Sequence, residues 1–179
     1  MNNKIVSKCL IVFAIFFFSC SNKKQDIERA VNEWIGREIV LPVNVKMKLG
    51  MKDTSCQDLF NKDFKIVIYV DSSGCTSCKF KIFELRNLIR TTINNHKNVS
   101  FLIYFNLKNY FELQHRLVSN DFNYPVIFDY DDRLNSVNKL SKNSNFHTFL
   151  LDKNNEIILI GDPIGRPKLW NLYLQQISK

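Results

Sequence analysis

Glycine and proline are scarce in this chain, at five and four among 179 residues. That excludes collagen-like, linker-rich and loop-dominated polypeptides, which depend on residues that interrupt regular backbone. No internal period recurs, so solenoids and propellers are set aside. Low-complexity tracts are absent, although Asn and Lys are frequent throughout. The unbroken apolar run from Cys9 to Phe18 spans 10 residues, too few to cross a bilayer comfortably. There is no second Cys-x-x-Cys pair, which removes zinc-ribbon readings. Of the three histidines, His96 and His115 have no partner pattern and read as surface residues.

What is present is apolar and aromatic. The composition is 45% hydrophobic, with 15 Phe and six Tyr. At this length it suits one domain with a well-filled core. The net charge is +8. Its basic residues are scattered, so they read as a solvated surface with some attraction to anionic lipid, and not as a nucleic-acid footprint.

The amino terminus reads as a targeting segment. Lys4 and Lys8 precede the apolar run, which ends in Phe17-Phe18-Ser19-Cys20 and passes at once to polar Ser21-Asn22-Lys23-Lys24-Gln25. Charge, short apolar core and small residue follow the order of a secretory signal. The Ser19-Cys20 ending resembles a bacterial lipoprotein box, although Phe17 stands where leucine is usual. That resemblance implies a signal peptide over 1–19, lipid (palmitate) attachment at Cys20, a tether over 20–25 and a folded domain over 26–179. It also implies an exported, membrane-anchored lipoprotein facing the periplasm or cell envelope. Cys9 leaves with the signal, so Cys56, Cys75 and Cys78 remain in a compartment where disulfides persist.

Periodicity orders the domain. Ile27, Val31, Trp34 and Ile35 predict a first helix over 26–36, capped by Asp26 and stopped by Gly36. Alternation over Val43 to Met47 predicts an edge strand, and 48–63 reads as a connecting loop holding Cys56, a semi-buried small residue. Ile66 to Val70 predict a buried strand. Ile82, Leu85, Ile89 and Ile93 predict the helix after it. Val99 to Phe105 follow as strand, and Tyr110, Leu113 and Leu117 as helix. Pro125 to Asp129 predict a third buried strand. A helix opened by Asp131-Asp132 turns Leu134, Val137 and Leu140 inward. Phe146 to Asp152 and Glu156 to Ile160 form a hairpin, and Pro167 starts a last helix on Leu169, Tyr173 and Ile177. Such an order implies an α/β sandwich, a mixed sheet with helices on both faces.

Between the strand at 66–70 and its helix stands Cys75-Thr76-Ser77-Cys78. A helix start offers unpaired N–H groups and the positive end of the dipole, which lower a thiol pKa. Lys79 and Lys81 act in the same sense and Asp71 in the opposite one. Cys75 would be the exposed nucleophile and Cys78 the shielded resolving thiol, the asymmetry that dithiol–disulfide exchange requires.

These features together resemble the thioredoxin-like fold, in the exported, membrane-anchored branch that includes cytochrome-maturation-type oxidoreductases. The likeness spans about residues 40–179. It rests on the strand, Cys75-Thr76-Ser77-Cys78 and helix unit, on the inserted Tyr124-Pro125-Val126-Ile127-Phe128-Asp129 segment, and on the late hairpin. It implies a protein-disulfide oxidoreductase with a redox-active Cys75/Cys78 pair. Its partners would be client thiols and disulfides, an unidentified redox partner and the membrane, without a cofactor. The resemblance also places Phe146, followed by His147, at the family's cis-proline, in the loop that contacts substrate. Gly74 replaces the usual Trp, and Tyr69 stands where a buried acid often assists the resolving cysteine. Two alternatives stay open: a Cu or Zn site made of Cys75, Cys78 and His147, and a redox-inactive binding lipoprotein.

Overall fold

The computed structural model describes residues 25, 27–29, 31–72 and 81–179. The signal segment, Cys20, Asp26 and the Cys75/Cys78 pair lie outside the described residues. The chain divides into two compact units, Met1–Trp34 and Ile35–Lys179. In the first, residues 27–29 and 31–34 are helical; Trp34 is buried and Ile27 exposed, so the expected face is only half realised.

The second unit is built on one seven-stranded sheet. Its strands are β1 (Lys46–Leu49), β2 (Lys52–Thr54), β3 (Phe64–Asp71), β4 (Val99–Asn106), β5 (Val126–Phe128), β6 (Thr148–Leu151) and β7 (Ile157–Ile160), in the spatial order β2-β1-β5-β4-β3-β6-β7. β3 runs parallel to β4, and β4 parallel to β5, while β1, β2, β6 and β7 join antiparallel. The α-helices are α1 (Ile82–Asn95), α2 (Tyr110–Ser119), α3 (Arg133–Asn138) and α4 (Pro167–Ile177). The mixed sheet is the expected one.

The strand period of two sorts the side chains between faces. Ile66, Ile68 and Val70 of β3 share one apolar cluster with Ile82, Leu85 and Ile89 of α1, Leu113 and Leu117 of α2, and Tyr173 and Ile177 of α4. Tyr69, of opposite parity, meets the start of α3 instead: its hydroxyl donates to Asp132 Oδ1 at 2.5 Å. Helices therefore cover both faces.

Three expectations are corrected. β1 begins at Lys46 and is not an edge, because β2 pairs with it beyond a two-residue turn at Gly50-Met51 (Gly50 φ 58°). The region read as a loop holds β2 and a 3-10 helix, Gln57–Asn61. Lys-Asp-Thr carries no apolar signal, so β2 is set by its neighbour and by its turn. In α3, Leu134 is buried as expected but Val137 is exposed, and Asn138 is the buried residue of that face. Its side chain accepts from Val40 N and donates to Val40 O, both at 2.9 Å, standing in for a missing strand partner.

At the other end of β3, Lys65 is buried on both sides of its stem. Its ammonium donates to Lys62 O at 2.9 Å and reaches Lys153 O, in the β6–β7 turn, at 3.5 Å. Loss of water around the charge lowers its pKa.

Candidate functional site

The C-terminal ends of parallel strands are where α/β sheets open clefts. Here a cleft of ≈ 480 Å³ lies at the ends of β3 and β4. Ile68 and Val70 of β3, Phe105 of β4, Ile82 and Leu85 of α1 and Leu113 of α2 line its apolar part. Ser72 and Lys81, which flank the segment 73–80, both line it as well.

Polar groups stand around this apolar base. Lys81, just before α1, pairs with Asp162 at 2.6 Å. The second oxygen of Asp162 accepts from Ile164 N at 2.9 Å, and its own backbone N–H donates to Asn145 O at 3.3 Å. One aspartate therefore ties the start of α1, the chain after β7 and the turn before β6. On α2, Arg116 clasps Glu112 through Nε at 3.0 Å and through an Nη at 2.8 Å. Gly161, next to Asp162, has φ 121°, and a Cβ there would meet Leu169 at 3.3 Å. Tyr173, fully buried, donates to its carbonyl at 2.8 Å.

The turn before β6 forms the remaining wall. It is a short 3-10 helix, Ser144–Phe146, and every peptide bond among the described residues is trans. The N–H groups of Phe146 and His147 are bonded within the turn, to Asn143 O at 3.0 Å and Ser144 O at 3.2 Å. The His147 carbonyl accepts from Tyr69 N at 2.9 Å. His147 is not the exposed residue that a lone histidine at a strand start usually is; it is 6% exposed. Its Nε2 lies 2.7 Å from Ser141 O. A carbonyl only accepts, so Nε2 carries a proton, and Nδ1 is the ring nitrogen that can offer a lone pair. The edge of Tyr69 meets this ring at 5.2 Å. Burial first, and the bond to Asp132 second, hold the Tyr69 phenol protonated well above its ordinary range.

Of the site residues expected from sequence, His147 reaches the cleft and Phe146 is turned largely out of solvent. Cys56 is a half-exposed free thiol whose Sγ is 3.7 Å from Thr54 Oγ1. Sequence reasoning missed the Lys81–Asp162 pair and the Arg116–Glu112 clasp. The Gly161-Asp162-Pro163 break after β7 was the available signal for the first, and the i, i+4 spacing for the second. For the ligand set Cys75, Cys78 and His147, only Nδ1 of the histidine has a lone pair to offer. Among the described residues, no group of three or more His, Cys, Asp or Glu could hold a metal ion. Nor is any described helix long and apolar enough to cross a membrane.

No family model matches the sequence, and no curated protein matches it significantly. Solved structures do match. A candidate protein disulfide isomerase of Bacteroides thetaiotaomicron is 14% identical, with 80% of this chain and 87% of that one covered at a TM-score of 0.58. A thiol:disulfide interchange protein from a Bacteroides species is also 14% identical, covering 82% and 90% at 0.54. StoA from Bacillus subtilis is 17% identical, covering 77% and 100% at 0.50. Likeness at these identities speaks to architecture, and with the mixed sheet, the parallel β3–β4 pair and the late hairpin it leads to one conclusion: this chain has the thioredoxin-like fold.

Proposed function

We propose that the protein is a thiol–disulfide oxidoreductase acting through Cys75 and Cys78. One observation carries the reading. Ser72 and Lys81, the residues on either side of the Cys-x-x-Cys segment, line the same cleft at the end of β3. In the proposed cycle the Cys75 thiolate attacks a client disulfide, forming a mixed disulfide and releasing one client thiolate, which takes up a proton. Cys78 then attacks the Cys75 sulfur, releases the second client thiol and leaves a Cys75–Cys78 disulfide. Two electrons pass to the client, and an external dithiol must return them. The reverse sequence oxidises clients with the same atoms.

The proposed setting is the periplasmic or cell-envelope face of a bacterial membrane, with lipid on Cys20. It rests on the order of Lys4, Lys8, the apolar run and Ser19-Cys20. Replacing Cys20 with Ser should abolish incorporation of labelled palmitate.

The deciding experiment equilibrates the protein with defined dithiothreitol or glutathione ratios and reads the potential of the pair. A value within roughly −120 to −270 mV supports exchange chemistry. Cys75→Ser should then abolish reduction of a model protein disulfide, and Cys78→Ser should accumulate the mixed disulfide. A pair far more stable than that range is a structural bridge, and the binding-module reading takes its place.

A further inference from the structure

Helix α2 has two working sides. Positions 112, 113 and 116 line the cleft. Positions 111, 115 and 118 are centred about 140° away around the helix axis. On that outer side Phe111 and Val118 are each at least 51% exposed. The Phe111 ring meets His115 at 4.3 Å. Val118 lies against the β1–β2 turn, where a Cβ on Gly50 would sit 3.8 Å from it and the neighbouring Met51 is also 51% exposed. Near the start of the helix the Tyr110 ring meets the tilted Tyr130 ring at 4.4 Å, and Tyr130 is exposed to the same degree.

The charge on this side is basic. Two of its acids are held by a base of the fold: Asp53 by Lys48 at 2.5 Å and Asp121 by Arg86 at 3.9 Å. Lys46 and Lys52 are exposed, and Lys46 stands 6.0 Å from the Tyr130 ring. The exposed carboxylate of Asp131 offsets one of them. Apolar and aromatic knobs from a turn, a helix and a loop, with lysines between them, suit a deformable, negatively charged apolar boundary.

We infer that the outer face of α2, with the β1–β2 turn, seats on an anionic lipid surface. The proposed anchor supplies proximity: Cys20 precedes Ile35 by 15 positions, a chain reaching at most about 50 Å. In this seating the cleft side of α2 stays clear of lipid while the domain lies at the membrane. The inference rests on the lipoprotein reading for proximity alone, and the two are tested apart.

The test uses the full chain on vesicles of phosphatidylethanolamine with phosphatidylglycerol, and on neutral phosphatidylcholine vesicles. Phe111→Trp and, separately, Val118→Trp place an indole on the exposed face; the wild-type chain supplies the background of Trp34 and Trp170. The expected result is blue-shifted emission quenched by brominated acyl chains on the anionic vesicles. Neutralising a lysine, Lys46→Gln or Lys52→Gln, should reduce the seating equilibrium about fivefold each. A chain that floats with vesicles while both indoles remain quenched by aqueous iodide overturns the seating and leaves the anchor standing. A blue shift that follows protein density and persists on neutral vesicles assigns the face to a second copy and likewise overturns it. A chain that does not float at all overturns both.

Discussion

Asp162 shows how one carboxylate can order the mouth of a cleft. It spends one oxygen on Lys81 and the other on Ile164 N. Asp162→Asn keeps the second bond and loses the charge on the first. Because the pair is partly solvated, the expected cost is about 1 kcal/mol in a urea titration, shrinking at high salt. A cost unchanged by salt would assign the residue a purely geometric role. Neither Lys81 nor Asp162 could be paired from sequence, since 81 positions separate them. His147 was named from sequence for its place before β6, yet its burial and its bond to Ser141 O follow from a 3-10 turn that no local pattern in Asn143-Ser144-Asn145 announces. Cys75 and Cys78 were named from spacing alone, and they lie outside the described residues.

At the scale of elements, long periodic stretches were readable and short ones were not. β3 and β4 came from the unbroken runs Ile66 to Val70 and Val99 to Phe105, and α2 and α4 from three apolar positions each at helical spacing. β2 has three residues and no apolar one, and exists because Gly50 turns the chain back on β1. α3 was found and Leu134 rightly placed inward, but Val137 was wrongly placed there, because the six residues of the helix offer too little periodicity to fix a whole face. What orients it is polar: buried Asp129 accepts from Arg133 N at 2.9 Å and from Leu134 N at 3.0 Å. Both donors belong to the first turn of the helix, where backbone N–H groups lack partners. Asp129→Ala should therefore cost about 2 kcal/mol, read as a lowered denaturation midpoint with an unchanged slope. Asp129→Asn, which keeps one acceptor, should recover about half. In the same helix Asn138→Leu would strand the backbone groups of Val40 and should be at least as damaging, despite the gain in apolar surface.

Among the described residues the aromatic side chains are mostly buried. Five of the six tyrosines have phenols held above their ordinary range, chiefly by burial. Tyr124, whose hydroxyl serves Phe101 N where β5 is too short to do so, is pushed up to about 12. A folded phenol that keeps its proton longer than the unfolded one stabilises fully below the unfolded value near 10, and that contribution is lost as pH rises toward the folded value. Stability should thus fall above pH ~10. The absorbance change of these five phenols should coincide with loss of near-ultraviolet circular dichroism. A full phenolate signal from a still-folded chain would contradict the burial.

Lys65 gives the same interior a chemical clock. Its amine is closed off by Lys62 O and by the turn that joins β6 to β7. An amine-reactive reagent should modify surface lysines at once and Lys65 only during moments when that hairpin lifts away. Its acylation rate, followed by peptide mass analysis, would then report how often the edge of the sheet opens, and a destabilised hairpin would betray itself at this one nitrogen long before the fold is lost. Modification of Lys65 as fast as Lys153 would mean that the hairpin is open most of the time.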